Sequence, residues 1–306
     1  MPCYKSFLLL SLLCCLSLAV PIRSEALKAT PLKVAATIFP LYDMLRQVAG
    51  PEVEVVLLVP PGASPHTFAI KPGTIRALTG CQAVFAVGHG LDDWVIRLAR
   101  EAGVKRLILT DKGISLRRAG SESHDSRHHV AHATPHAGVD PHYWLSVPNA
   151  LLMVEHIAAS LGQLKPADQA LYQRRAGAYQ DELRAADAAI RALLADLPRR
   201  EIATFHMAFG YFAEAYGLHV VAVFEPAPGQ EPAPRHVEAF QRSIQTSNLR
   251  TVFIEPQLSE APLRSLSRDL GITLQILDPN GGSEALPTYI AMMQFNARQI
   301  AAALRP

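Results

Sequence analysis

Cysteine is nearly missing from this 306-residue chain: there are four, and Cys3, Cys14 and Cys15 all fall close to the start. That is too few for a disulfide scaffold. An excess of one charge is missing as well. Lysine and arginine number 29 against 27 aspartates and glutamates, a formal net charge of +2, so no single-sign field steers the chain onto nucleic acid or an anionic membrane. Beyond the first segment no apolar run approaches the roughly 18 to 20 residues that a membrane helix requires. What is there is globular in composition, 49% hydrophobic and 18% charged, neither disordered nor collagen-like. At about 150 residues per domain the length suggests two domains, each large enough to bury its own core.

The first stretch reads as a targeting segment. Lys5 supplies a short positive region, residues 7–20 an apolar one, and Ser24-Glu25-Ala26 a small-x-small cleavage site. Residues 1–26 are therefore expected to be a secretory signal peptide and the remainder a periplasmic protein. Lipid anchoring is the competing reading, because Cys14 and Cys15 close the apolar run; against it, Leu13 and Cys14 stand where a small residue is wanted. Cleavage after Ala26 leaves Cys81 alone, so no internal disulfide is expected despite an oxidising destination.

From Leu32 onward, short apolar runs alternate with helical patterns, which predicts an α/β fold with mostly parallel sheets. In the first half the strand candidates are 33–38, 53–59, 83–87 and 106–110, with helices near 41–49, 72–79 and 91–102. Residues 117–139 carry almost no large apolar side chain and hold five of the twelve histidines, so they are expected to form a mobile loop outside any core. Helical periodicity resumes at 147–161, and 166–197 is the longest uninterrupted helical pattern. Pro166 suits its first turn and Pro198 stops it. At 1.5 Å per residue it is a rod of roughly 45 Å, suited to joining two halves. The alternation then repeats, with strands at 201–205, 219–224, 251–254 and 273–277 and helices at 207–216, 234–246, 260–269 and 286–303. The expected organisation is a signal peptide 1–26, an N-terminal α/β lobe 27–165 with the loop 117–139, a connecting helix 166–197 and a C-terminal α/β lobe 198–306.

Ligands in open α/β sheets collect at the carboxyl ends of strands. Four polar residues stand there: His66 in GASPHTF, His142 in DPHYWLS, His206 at the end of EIATF, and Asp278 at the end of TLQIL. Three imidazoles and one carboxylate, two from each half, make a tetrahedral set suited to Zn²⁺. Each alone has an ordinary explanation, a hydrogen-bonded loop histidine or the aspartate that starts a turn. Their joint placement carries the reading. Glu255, after TVFI, competes with Asp278 for the fourth position; with Asp278 as ligand it becomes a partner for an imidazole's other N–H.

GASPHTF, DPHYWLS, TFHMAFGYFAEAYGL, IEPQ and LDPNGG, in this order, resemble the solute-binding proteins of metal-specific ABC importers, in particular the zinc-uptake branch of ZnuA type, over about residues 32 to 304. The resemblance implies two α/β lobes joined by a single long helix, a metal in the cleft between them, and His66, His142, His206 and Asp278 as its ligands. It also implies Zn²⁺ as transported cargo, the membrane permease of a zinc ABC importer as partner, a monomer, and no catalysis. Manganese-binding relatives tend to carry glutamate at the position of His206, and a third imidazole favours zinc. Zinc-uptake proteins commonly have a histidine-rich loop beside the cleft, so His124, His128, His129, His132 and His136 are candidate accessory ligands. The family often has a disulfide in the C-terminal lobe, whereas this chain has no cysteine after Cys81.

Three rivals remain at this level. A manganese or iron importer component would use the same fold, as would a surface adhesin. A zinc hydrolase needs an open coordination position and a general base, and the chain has no H-E-x-x-H helix. Imidazole ligation requires neutral rings, so acidification to about pH 5 is expected to weaken zinc at least tenfold.

Overall fold

The computed structural model describes residues 31–118, 138–225 and 229–305. The signal segment 1–26 and the five loop histidines lie outside the described residues. The rest of the chain, from Pro31 on, forms one compact unit.

In the first half, β1 (Leu32–Ala36), β2 (Val53–Leu57), β3 (Ala83–Ala86) and β4 (Arg106–Leu109) alternate with α1 (Phe39–Ala49), α2 (Pro72–Leu78) and α3 (Trp94–Glu101). After a 3₁₀ turn at Tyr143–Leu145 come α4 (Val147–Leu164) and α5 (Gln169–Leu194). The second half runs β5 (Glu201–His206), α6 (Gly210–Tyr216), β6 (His219–Glu225), α7 (Pro234–Thr246), β7 (Thr251–Ile254), α8 (Ala261–Leu270), β8 (Thr273–Ile276) and α9 (Tyr289–Leu304). The strands form two four-stranded sheets of matching order, β2-β1-β3-β4 and β6-β5-β7-β8, with every pairing parallel. Parallel neighbours need crossover helices, which is why apolar strands and amphipathic helices alternate along the chain. In each sheet the chain reverses direction after the first strand. The crevices of the fold therefore open between the carboxyl ends of β1 and β3, and of β5 and β7.

The long helix is shorter than its sequence pattern. Lys165 sits extended at φ −138° and ψ 81°, and Pro166–Asp168 make a 3₁₀ turn before α5 begins. A residue preceding proline is driven out of the α region, which also closes the helical stretch ahead of Pro198. The 26 residues of α5 span about 39 Å. Its buried stripe is Tyr172, Ala176, Tyr179, Leu183, Ala186, Ile190 and Leu194, a three-and-four spacing that lays one face on a core. That face packs on α4, α1, α9 and α6, so α5 touches elements of both halves along its length.

The cores differ from the expectation of one per half. A single apolar cluster runs from Leu32 to Leu304 and includes residues of β1, α1, α4, α5, α6 and α9. Among the described residues two separate clusters lie on the outer faces, one under α2 and α3 and one under α7 and α8. The reason is α9, the last helix, which packs on α1 as well as α5. Cys81 is a buried free thiol. Among the described residues no helix is long and apolar enough to cross a membrane.

Candidate metal centre

Three of the four positions singled out in the sequence meet at one point. His66 comes from the loop after β2, His142 leads into the 3₁₀ turn, and His206 is the last residue of β5. Their ring centroids lie 4.9 to 5.2 Å apart, and one ligand atom from each falls within 4.8 Å of the others. His66 Nε2 and His142 Nε2 are 3.1 Å apart. Two nitrogens on a tetrahedral Zn²⁺ at about 2.0 to 2.1 Å are separated by about 3.3 Å, so this pair already has the spacing of shared coordination.

The far side of two of these rings is anchored by carboxylates. His142 Nδ1 pairs with Asp140 Oδ1 at 2.8 Å, and the same oxygen accepts from the His142 backbone N–H at 3.0 Å. His206 Nδ1 lies 3.1 Å from Glu255 Oε1. An imidazole whose Nδ1–H is committed to a carboxylate presents its Nε2 lone pair inward, with the ring orientation fixed. Topology explains the second pair: β5 and β7 are neighbours, so His206 at the end of one and Glu255 just past the other meet at the crevice.

Electrostatics divides the three rings. Burial, and then the proximity of His142 and His206, push the His66 pKa down to about 2. Burial also lowers His142, against the pull of Asp140. For His206 burial works in the same direction, but the charge and hydrogen bond of Glu255 outweigh it and its pKa is raised. Burial thus favours the neutral, ligating form of two rings, while Glu255 favours the protonated form of the third, with which a cation competes.

The three histidines line a cavity of about 10 Å³ together with Trp144, Glu255, Gln257, Leu258, Pro279 and Asn280. That is room for about one water-sized sphere. A bare ion fits this space. The indole of Trp144 lies tilted beside the His142 ring, 5.3 Å between centroids, and its Nε1–H donates to the Pro279 carbonyl at 2.7 Å, a contact that joins the two halves beside the cleft.

Asp278 is buried and is not one of the three residues whose ligand atoms come together. Its Oδ1 accepts from Gln257 Nε2 at 2.7 Å and from the backbone N–H groups of Asn280 and Gly281, each at 2.9 Å. Its own backbone is held in both directions by Asn296, each bond 2.8 Å. Four residues escaped sequence reading. For Asp140 the available signal was its spacing two before His142 in Asp-Pro-His. Trp144, Gln257 and Asn280 gave none. His89 is held at φ 56° between two positive-φ glycines and paired to Asp111 at 2.8 Å.

A family model described as zinc-uptake complex component A, periplasmic (ZnuA), matches residues 34–303. The zinc-binding lipoprotein AdcA of Streptococcus pneumoniae is 27% identical over 302 residues, covering 97% of this chain and 60% of that protein; the chain thus spans about three fifths of that relative's length. Among solved structures, a crystal structure of ZnuA superposes with a TM-score of 0.78 at 27% identity, covering 90% of this chain and 100% of that one. FpvC of Pseudomonas aeruginosa, in complex with Mn²⁺, superposes with a TM-score of 0.77 at 28% identity, over 90% and 99%. Since the family model covers the chain from Val34 to Ala303, this protein belongs to the ZnuA family.

Proposed function

We propose that this chain captures Zn²⁺ outside the cytoplasmic membrane and delivers it to the permease of an ABC importer. The observation that carries the reading is the set of three buried imidazoles, two of them backed by carboxylates, around a space the size of one ion. In this reading His66, His142, His206 and Asp278 are the ligands, and Glu255 and Asp140 orient His206 and His142. The histidine-rich stretch with His124, His128, His129, His132 and His136 is an accessory that gathers metal near the cleft. The protein acts as a monomer after removal of residues 1–26, with lobes 27–165 and 198–306 on either side of the connecting segment 166–197 that carries α5. The cargo is released unchanged, so no catalytic step is assigned.

Zinc is favoured over manganese by donor chemistry, since Mn²⁺ prefers more oxygen ligands than three imidazoles leave. The manganese reading keeps one specific support, the Mn²⁺ complex of the similar FpvC. Titration of metal-stripped protein, residues 27–306, against a competing chelator tests both. One tight zinc site that survives removal of residues 121–137 and collapses with His206→Ala is the expected outcome, with manganese bound far more weakly. A tight site that vanishes with the loop and tolerates His206→Ala overturns the cleft assignment.

A further inference from the structure

Arg117 and Asp140 bracket the histidine-rich stretch, and the backbone closes across it: Asp140 N–H donates to the Arg117 carbonyl at 2.9 Å. A side chain of the other half is built into this closure. The Arg117 N–H donates to the Tyr211 hydroxyl at 2.8 Å, and that hydroxyl donates to the Asp140 carbonyl at 3.2 Å. The Arg117 guanidinium lies 5.6 Å over the Tyr211 ring, pairs with Glu214, and approaches Asp140 Oδ2 with its Nε at 4.0 Å. Tyr211 and Glu214 belong to α6, whose first residue, Gly210, leaves no room to spare: a Cβ there would stand 2.9 Å from Asp140 Oδ2.

Asp140 is 4% exposed and Tyr211 likewise 4%, so this clasp is a buried contact between the halves. Its far end is the carboxylate on His142 Nδ1. We infer that Arg117 and Tyr211 are positioning residues for His142, fixing Asp140 so that its Oδ1 holds the imidazole aimed into the cleft. The inference rests on the cleft being the zinc site. It adds a coupling: whatever loosens α6 from the base of the histidine-rich stretch also frees the ring of one ligand. Zinc retention then depends on a contact that touches neither the ion nor its ligands.

Zinc dissociation from the loaded protein into excess chelator tests this, with thermal midpoints measured alongside. Removing a group that orients a ligand typically costs 10- to 100-fold in metal affinity. Tyr211→Phe and Arg117→Ala are expected to speed release about tenfold, and Arg117→Lys, which keeps the pair with Glu214, to restore most of it. In a background of Asp140→Asn, Tyr211→Phe is expected to add less than about twofold, because both changes act through one carboxylate. Co²⁺-loaded protein gives a second readout: its visible ligand-field band shifts with Arg117→Ala and returns with Arg117→Lys. Arg175→Ala is the control, since Arg175 clamps Ala49 and Glu52 far from the cleft residues and its loss should lower the midpoint without changing release. If Asp140→Asn speeds release while Tyr211→Phe and Arg117→Ala leave it within about twofold, or if the effects add in the double variant, the positioning role is overturned and the cleft stands. If the unmodified protein shows no tight cleft site, both readings fall together.

Discussion

Acidification separates the three histidines, and the structure fixes how steeply zinc should be lost. A proton competes with the ion only at a ring that takes one up in the metal-free protein. His66, with its pKa pushed to about 2, stays neutral between pH 7.5 and 5, and burial shifts His142 in the same direction. His206 is the competitor, because Glu255 raises its pKa above the ordinary 6.5. The sign follows: affinity is greatest above the His206 pKa and declines as pH falls through it. For a single imidazole of pKa 6.5 the loss from pH 7.5 to 5 is about 30-fold, and for any higher pKa it rises toward a ceiling of about 300-fold. Three ordinary imidazoles titrating independently would lose about 3 × 10⁴-fold over the same interval. Competition against a chelator corrected for its own protonation measures this directly, and the slope of log affinity against pH should approach one. Weakly buffered protein should release about one proton per zinc near pH 6. A slope of two or more would show that His66 or His142 titrates and that the charge division among the rings is wrong; a flat profile would show that His206 also stays neutral and that Glu255 does not raise its pKa.

Glu255→Gln and Asp140→Asn should each weaken zinc about 10- to 100-fold, since each replaces the carboxylate on an imidazole Nδ1; chelator competition reads the change, and Glu255→Gln should also flatten the acid limb. Zinc at about 1,000 times its dissociation constant should stabilise the folded protein by about 4 kcal/mol, and this increment should vanish in His206→Ala, as read by urea unfolding with and without metal. Asp43→Ala should cost about 2 to 4 kcal/mol in urea unfolding without changing metal affinity, because it strands the Tyr289 N–H and the Tyr179 hydroxyl in a buried place.

The sequence makes elements legible where local chemistry decides them. Helix α7 and strand β7 fall on the residues that periodicity and punctuation mark, 234–246 and 251–254. Boundaries move where a neighbouring residue restricts the backbone, as Pro166 does at the start of the long helix. Partners across long separations are not legible in this way. Nothing in the pattern of Tyr289 says that it will donate through its backbone to Asp43, 246 residues earlier, and this is the kind of contact that merges the expected pair of cores into one. The same division runs through the site. His66, His142 and His206 stand out because strand ends in parallel sheets gather ligands. Asp140 is hidden because it sits next to a low-complexity stretch, where an acidic residue is usually just solvated.

That shared core bears on how cargo leaves. Wide hinge opening would have to part Trp144 Nε1 from the Pro279 carbonyl at 2.7 Å, the Tyr289 hydroxyl from the Trp144 carbonyl at 2.6 Å, and the Tyr289 N–H from Asp43 at 2.8 Å. All are buried, and each group left unpaired away from water costs about 1 to 3 kcal/mol. The helix α5 stiffens the same direction, since its buried face lies on α1 and α9 at once. Local movement is cheaper: the loops carrying His66 and His142 can shift without parting α5 from the elements it binds. Metal-free and metal-bound protein should then give nearly superimposable scattering profiles, with a radius of gyration of about 19 Å for some 280 residues in both states. A difference above about 1 Å would mean that the halves swing apart despite these contacts, and that the core joining them yields on metal loss.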